Sequence, residues 1–490
     1  MTTSVSWTLR LDGGATPDRE RVGGKAASLA RMAALGLRVP PAFVVTTEAC
    51  RAFFEGGGTL PPGILAEIRE GIEWLEQATN RRFDGSERPL LVAVRSGAAI
   101  SMPGMMDTVL DLGMNEKTER ELAADAGDAT FAADTHRRFR ELYSRIVDPI
   151  VPESAAEQLR RAVIAVFASS RSRRARAYRK NQGIADDLPT AVTVQAMVFG
   201  NLDARSGTGV LFTRNPLSGE PAPYGEYLMR AQGEDVVSGT TKPEPLARLR
   251  DSLPEIHDEL VTAAKALERA ERDVQDVEFT VERGRLYFLQ SRAAKRSPEA
   301  AVRLAVDLAR EGLIDPQEAL TRVTAEQVAT VLRPRLGSAA RAAAELLARG
   351  EPACPGVASG VAVEDCDEAE ERADRGEEVV LARLTTSPED VHGMMAASAV
   401  VTEVGGSTSH AAVVGRQLGK PCVVGCGVGV VRALVGREIT VDGETGEVFA
   451  GRLALEQPSE RDHPYLSVLA GWAGGRPLRD VLAGGADAAR

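Results

Sequence analysis

Two neighbouring stretches, Ala399-Val-Val-Thr402 and Gly405-Gly-Ser-Thr-Ser-His-Ala-Ala-Val-Val-Gly-Arg-Gln-Leu-Gly419, decide how this chain is read. The first is a short apolar run that predicts a buried strand, and the second leads into a helix of small apolar residues that stops at Gly419. His410 then stands at a helix start, where free N–H groups and the positive end of the helix dipole would meet a phosphate carried on the imidazole. The same dipole disfavours imidazolium, and neutral imidazole is the form that acts as a nucleophile. Ala411 and Ala412 add no bulk beside the ring, and Gly405 and Gly406 let the backbone approach closely. A histidine at such a turn is ordinarily a cap or a packed surface residue, so the rest of the chain has to decide its role.

The bulk properties narrow the choice. A chain of 490 residues, 43% hydrophobic and 26% charged, is sized and composed for two to four globular domains. A net charge of −11 argues against a general nucleic-acid binder, so any anion site must be built from a few Arg and Lys residues. The five cysteines, Cys50, Cys354, Cys366, Cys422 and Cys426, have no zinc-type spacing and read as free thiols of a reducing compartment. No apolar run approaches 18 residues and the N-terminus has no charged-then-apolar signal, so a cytoplasmic protein without membrane contact is expected.

Near the N-terminus, Val22-Gly-Gly-Lys-Ala-Ala-Ser-Leu-Ala-Arg-Met-Ala-Ala-Leu-Gly36 carries an apolar helical face and stops at Gly36. Two glycines before Lys25 at a helix start make a phosphate cradle with a point charge, although on this motif alone a solvated lysine is the stronger reading. Leu90 to Val94 predicts a short strand with Arg95 at its end beside Ser96 and Gly97, a placement suited to bidentate phosphate binding. Residues 116–190 are Arg- and Ala-rich with helical spacing, and Arg171 to Lys180 reads as a solvated basic face. From Thr190 the pattern turns to strands, with an acidic turn at Glu234 and Asp235 that could bind metal or simply face solvent.

Asp276-Val-Glu-Phe-Thr-Val-Glu-Arg-Gly-Arg-Leu-Tyr-Phe-Leu-Gln-Ser-Arg292 predicts a hairpin of strands 276–281 and 285–292 around a three-residue loop. That register puts Asp276, Glu278, Gln290 and Arg292 on one face. Two carboxylates, an amide oxygen and an arginine suit Mg²⁺ bridging nucleotide phosphates, while spacing alone equally allows a polar outer face. Ser297-Pro298, Asp315-Pro316 and Ala339 to Ala348 predict three successive helices, and 352–450 predicts a compact domain of strands and helices. Within it, Thr386-Ser-Pro-Glu-Asp390 caps a helix that holds Met394 and Met395.

Taken whole, PLLVAVRSGAAISMPGMMDTVLDLGMN (89–115), the 276–292 stretch and GGSTSHAAVVGRQLGKPCVVGCG (405–427) resemble pyruvate phosphate dikinase and its relatives, the phosphoenolpyruvate synthases and rifampin phosphotransferases. The resemblance implies an α/β (α+β) fold with a two-lobed ATP-grasp domain over 1–295, carrying a helical insertion at about 116–190. A helical linker over 296–350, a swivelling β/β/α phosphohistidine domain over 351–451 and a tail over 452–490 follow. It implies that His410 accepts phosphate from ATP and that Lys25, Arg95 and Arg292 contact the phosphates. Glu278 and Gln290, joined on the same face by Asp276, are implied as ligands of Mg²⁺ and nucleotide. Thr408, Ser409, Gly405 and Gly406 match the segment around the histidine, and Val404 fills a place where dikinases usually carry arginine.

The activity implied is a dikinase one: ATP and inorganic phosphate phosphorylate His410 with release of AMP and pyrophosphate. A (β/α)₈ barrel for pyruvate or phosphoenolpyruvate needs about 250 residues, and 452–490 cannot hold one. Pyruvate or another acceptor is therefore expected on a separate barrel subunit or acceptor protein, with flexible connections near Gly350-Glu-Pro352 and a homodimer allowed. A synthase-type enzyme using water, a small-molecule phosphotransferase and a non-catalytic nucleotide-binding regulatory subunit stay open as alternatives.

Overall fold

The computed structural model describes residues 6–14, 17–85, 88–98, 108–181, 183–185, 188–237, 242–333 and 335–483. The chain has the expected mixed α/β architecture and divides into two compact units. The first comprises 1–207 with 278–291, and the second 208–277 with 292–490, so the chain passes between units inside the two strands of the hairpin. The methionine-rich loop at 102–106 lies outside the described residues.

In the first unit an antiparallel sheet runs in the order Thr8–Arg10, Ala42–Val45, Thr190–Ala196, Val92–Ala98, Thr108–Leu112. Thr190–Ala196 is buried along its whole length because it is the central strand, so both of its faces are covered and not the one face that alternation predicts. Phe43, Val92, Val94, Val192 and Val194 meet side chains of the helices Thr47–Glu55, Ile64–Thr79, Ala129–Ile146 and Ala155–Ser169 in one core. One member of the basic run departs from a solvated face, and an exposed one stacks on a ring. Arg179 is fully buried and donates from Nη1 to Ser170 O at 2.7 Å, and the Arg171 guanidinium stacks 3.6 Å from the Phe54 ring centre.

The hairpin forms as strands Gln275–Glu282 and Arg285–Ala293. Its turn is two residues, Arg283 and Gly284, not three. Both take positive φ, 51° and 72°, which suits a tight turn between right-twisted strands and draws Glu282 into the ladder. Asp235, expected in an acidic turn, lies in the short helix Gly233–Val237, where its Oδ2 accepts the Gln232 N–H at 2.8 Å.

The second unit holds an eight-stranded sheet, ordered Leu346–Arg349, Glu447–Ala450, Glu438–Asp442, Val357–Val363, Val379–Arg383, Ala399–Thr402, Cys422–Val424, Glu351–Cys354. The strands from Val357–Val363 through Cys422–Val424 run parallel, joined by short helices, and the remaining pairs are antiparallel. Two expectations are revised here. The third linker helix ends at Ala343, and Leu346–Arg349 is a sheet strand paired with Glu447–Ala450. The connection at Gly350–Pro352 is hydrogen-bonded into the sheet, through Gly350 N to Gly446 O at 2.8 Å and through the pairing of Glu351 with Val424.

Helix Pro298–Arg310 starts as its sequence predicts, with Ser297 Oγ accepting the Ala300 N–H. Two helices, Leu466–Trp472 and Leu478–Ala483, lie in the stretch read as a tail, and Leu466, Leu469 and Leu478 are fully buried against Val302, Val306 and Val328. All five cysteines are free thiols. Among the described residues no helix is long and apolar enough to cross a membrane.

Candidate active site

Arg95 lies inside the strand Val92–Ala98, opposite Thr193 on one neighbour and Thr108 on the other. The reading that put it at a strand end is corrected, because Ser96, Gly97 and Ala98 continue the ladder against 190–192. Its guanidinium gathers what the hairpin offers in the first unit. Nη2 donates to Glu278 Oε2 at 3.2 Å and to Gln290 Oε1 at 3.3 Å, while Nη1 donates to Leu289 O at 3.2 Å and Gln195 Oε1 at 3.4 Å. Two hard oxygen donors, one anionic, thus converge within 3.3 Å of a single nitrogen. That donor chemistry fits Mg²⁺.

Lys25 follows a break, not a clean helix start. Helix Arg19–Ala34 is interrupted at Gly23, with φ 78° and ψ 165°, and a Cβ there would lie 1.8 Å from Gly97 O. The Gly-Gly pair is therefore a packing device that presses the helix onto the strand carrying Arg95, and the Lys25 Cβ comes within 3.9 Å of a Cβ built on Gly97. Ser28 Oγ ties the same helix to the hairpin by donating to Ser291 O at 2.5 Å.

In the second unit, Asp276 and Arg292 form an ion pair, with Arg292 Nε to Asp276 Oδ2 at 2.8 Å and Asp276 almost fully buried.

The histidine is built by the sheet of the second unit. Strand Ala399–Thr402 ends in a loop that takes φ 127° at Gly405, a value only glycine adopts without strain, and helix His410–Leu418 begins at the histidine itself. Ala411 and Ala412 are buried against Val400, Cys354 and Cys422, so the helix start rests on the sheet. Ser409 occupies the N-cap without a side-chain cap bond, and its buried Oγ has no partner among the described residues.

His410 Nδ1 lies 3.1 Å from Thr386 Oγ1. With Nδ1–H donating to that oxygen, the lone pair resides on Nε2. Burial pushes the imidazole pKa below its usual 6.5, against the opposing pull of Asp390 and Glu389. Asp390 is anchored by Ser387 N at 2.7 Å and by Arg383 Nη2 at 2.9 Å, which fixes the turn carrying Thr386. Sequence reading treated Thr386 only as a capping segment; its contact with a residue 24 positions away has no local signal.

Two further residues were missed. Arg416 is buried and donates from Nη1 to Ser407 O at 2.8 Å and Ala353 O at 3.2 Å. Glu226, on strand Tyr224–Met229, accepts from the Thr408 hydroxyl.

Comparison with known proteins finds a family for the chain. The chain fits the model described as pyruvate phosphate dikinase, AMP/ATP-binding domain, over residues 19–75 and 57–256. It fits PEP-utilising enzyme, mobile domain, over 376–446. Lys25 and Arg95 fall in the first match and His410 in the second, while Asp276, Glu278, Gln290 and Arg292 lie outside both.

Pyruvate, phosphate dikinase of Rhizobium meliloti (strain 1021) is 41% identical over 516 residues, covering 91% of this chain and 57% of the relative. The Clostridium symbiosum protein of that name is 40% identical over 515 residues, covering 93% and 59%. Pyruvate, phosphate dikinase 2 of Zea mays is 41% identical over 502 residues, covering 90% and 56%. The chain spans a little over half the length of these relatives. With both domains matched and two-fifths of its residues shared along nine-tenths of its length, the chain belongs to the pyruvate, phosphate dikinase family, of which it represents the AMP/ATP-binding and mobile-domain portion.

Proposed function

We propose that the chain catalyses ATP-dependent phosphorylation of His410, the ATP side of a dikinase reaction. His410 Nε2 attacks the β-phosphorus of ATP, the bond to the α-phosphate oxygen breaks, and AMP leaves with a pyrophosphorylated imidazole behind. Inorganic phosphate then takes the terminal phosphoryl group as pyrophosphate, leaving phosphohistidine for pyruvate or another acceptor. Lys25, Arg95 and Arg292 bind phosphate oxygens. Glu278 and Gln290, with Asp276, would hold Mg²⁺, which when bound neutralises phosphate charge.

The observation that carries this reading is the state of His410. The imidazole is half-buried at a helix start, that burial lowers its pKa, and its Nδ1 is held by the Thr386 hydroxyl. Those are the conditions for a neutral, oriented nucleophile, and donors at the helix start await the phosphate it acquires.

The test is incubation of the chain and His410→Ala with Mg²⁺ and ATP labelled at the β- or γ-phosphate, with and without inorganic phosphate. β-Label retained on the unsubstituted chain alone, with AMP formed and γ-label released as pyrophosphate only when phosphate is present, is the expected result. Retention of label by His410→Ala, or release of ADP in place of AMP, overturns it.

A further inference from the structure

Strand Tyr224–Met229 and the histidine loop lie in the same compact unit. Glu226 projects from that strand into a buried position. Its Oε2 accepts from the Thr408 hydroxyl, and its Oε1 lies 3.5 Å from Ser407 Oγ, which donates. Beside it, Tyr224 OH donates to Glu351 Oε1 at 3.2 Å. Behind the loop, Arg416 Nη1 holds the Ser407 carbonyl. The loop is therefore held by Glu226 through two hydroxyls and by Arg416 through a carbonyl.

Gly406 adds an independent observation. Its φ is not positive, so the backbone itself does not require glycine. The three atoms nearest to a Cβ built there all belong to Glu226, the closest being Oε1 at 2.5 Å. A side chain at 406 would thus have to displace this one carboxyl. A buried carboxyl is costly unless its oxygens are used, and here both are committed to hydroxyls within three residues of His410. Burial raises the Glu226 pKa, with the Glu351 charge adding to the effect and the Thr408 and Ser407 hydroxyls opposing it.

We propose that Glu226 is a positioning residue that seats the loop Gly406–Thr408, and through it His410, for phosphoryl acceptance. The purpose of the seat rests on the function proposed above; the seat itself does not. Glu226 touches neither ATP nor the imidazole in this assignment, and it acts only through the loop.

The experiment uses the full chain with Glu226→Ala, Glu226→Gln, Gly406→Ala and the Glu226→Ala/Gly406→Ala double variant. Amide hydrogen exchange over 405–410 is measured together with the rate of His410 labelling from ATP. Loss of a buried contact of this kind should speed exchange in Glu226→Ala and in Gly406→Ala by about tenfold, with labelling slowed in parallel. Glu226→Gln keeps an oxygen that accepts from Thr408, so both readouts should stay within about twofold of the unsubstituted chain. In the double variant the cost of Gly406→Ala should vanish, because the atom it collides with is gone. Unchanged exchange in Glu226→Ala, or a Gly406→Ala defect that persists undiminished without Glu226, overturns the proposal. Should the unsubstituted chain fail to label, the proposed function fails while the exchange cycle still decides the seat.

Discussion

His410 owes its setting to two things of different origin. Its place at a helix start is local, written in the strand-like Ala399–Thr402 and the small residues up to Gly419, and the sequence alone predicts it. Its neutral state and its orientation come from burial and from Thr386, which arrives from the end of the neighbouring strand Val379–Arg383. The folded pKa lies below that of an exposed imidazole, so as pH falls the unfolded chain takes up the proton first. This group therefore costs stability below about pH 6.5 and nothing above it. The nucleophilic form prevails at neutral pH, and the rate of His410 labelling should be level above about pH 7 and fall only on the acid side of pH 6.5. Thr386→Val should lower that rate on the order of tenfold by freeing the ring and its tautomer, and Thr386→Ser should retain it. Single-turnover labelling across pH for the three chains checks both statements.

At the scale of elements, the glycines before Lys25 gain a packing role that sequence reading did not foresee. Read as a phosphate cradle or as the lead-in to a solvated lysine, they also let helix Arg19–Ala34 break at Gly23 and lie against Gly97 of the strand bearing Arg95. Gly23→Ala meets both an unfavourable φ of 78° and a backbone oxygen at 1.8 Å. It should destabilise the first unit by about 3 kcal/mol or more, whereas Ala at Gly36, where a Cβ meets nothing, should cost about 1 kcal/mol from its positive φ alone. Urea unfolding of the two variants separates these values. The hairpin shows the reverse case. Its alternation foretold both strands, and the convergence of Glu278 and Gln290 on Arg95 follows from that register together with the approach of strand Val92–Ala98, which belongs to a different sheet and which alternation cannot foretell.

At the scale of the whole molecule, chain order and spatial neighbourhood part company. Helices from 298–331 and from 466–483 share one core although the eight-stranded sheet lies between them in sequence. Ending the chain after Gly451 should uncover Val302, Val306 and Val328, so that proteolysis within 298–331 quickens and an apolar dye binds, while the sheet persists. A truncated chain as resistant as the full one over 298–331 would refute this shared core.

The sequence by itself determined most of the element types, the helix that starts at His410, the hairpin with its carboxylate and amide, and the family to which these motifs point. Those features depend on period, caps and turn residues, which act over a few positions. Only the tertiary structure decided that Arg95 sits in mid-strand, that Thr386 holds the imidazole, that Arg416 and Glu226 grip the histidine loop, and that the last helices complete a core. Each of these joins residues far apart in the chain, and such pairings are set by how strands cross and which apolar faces must be buried together, for which no single stretch carries the signal.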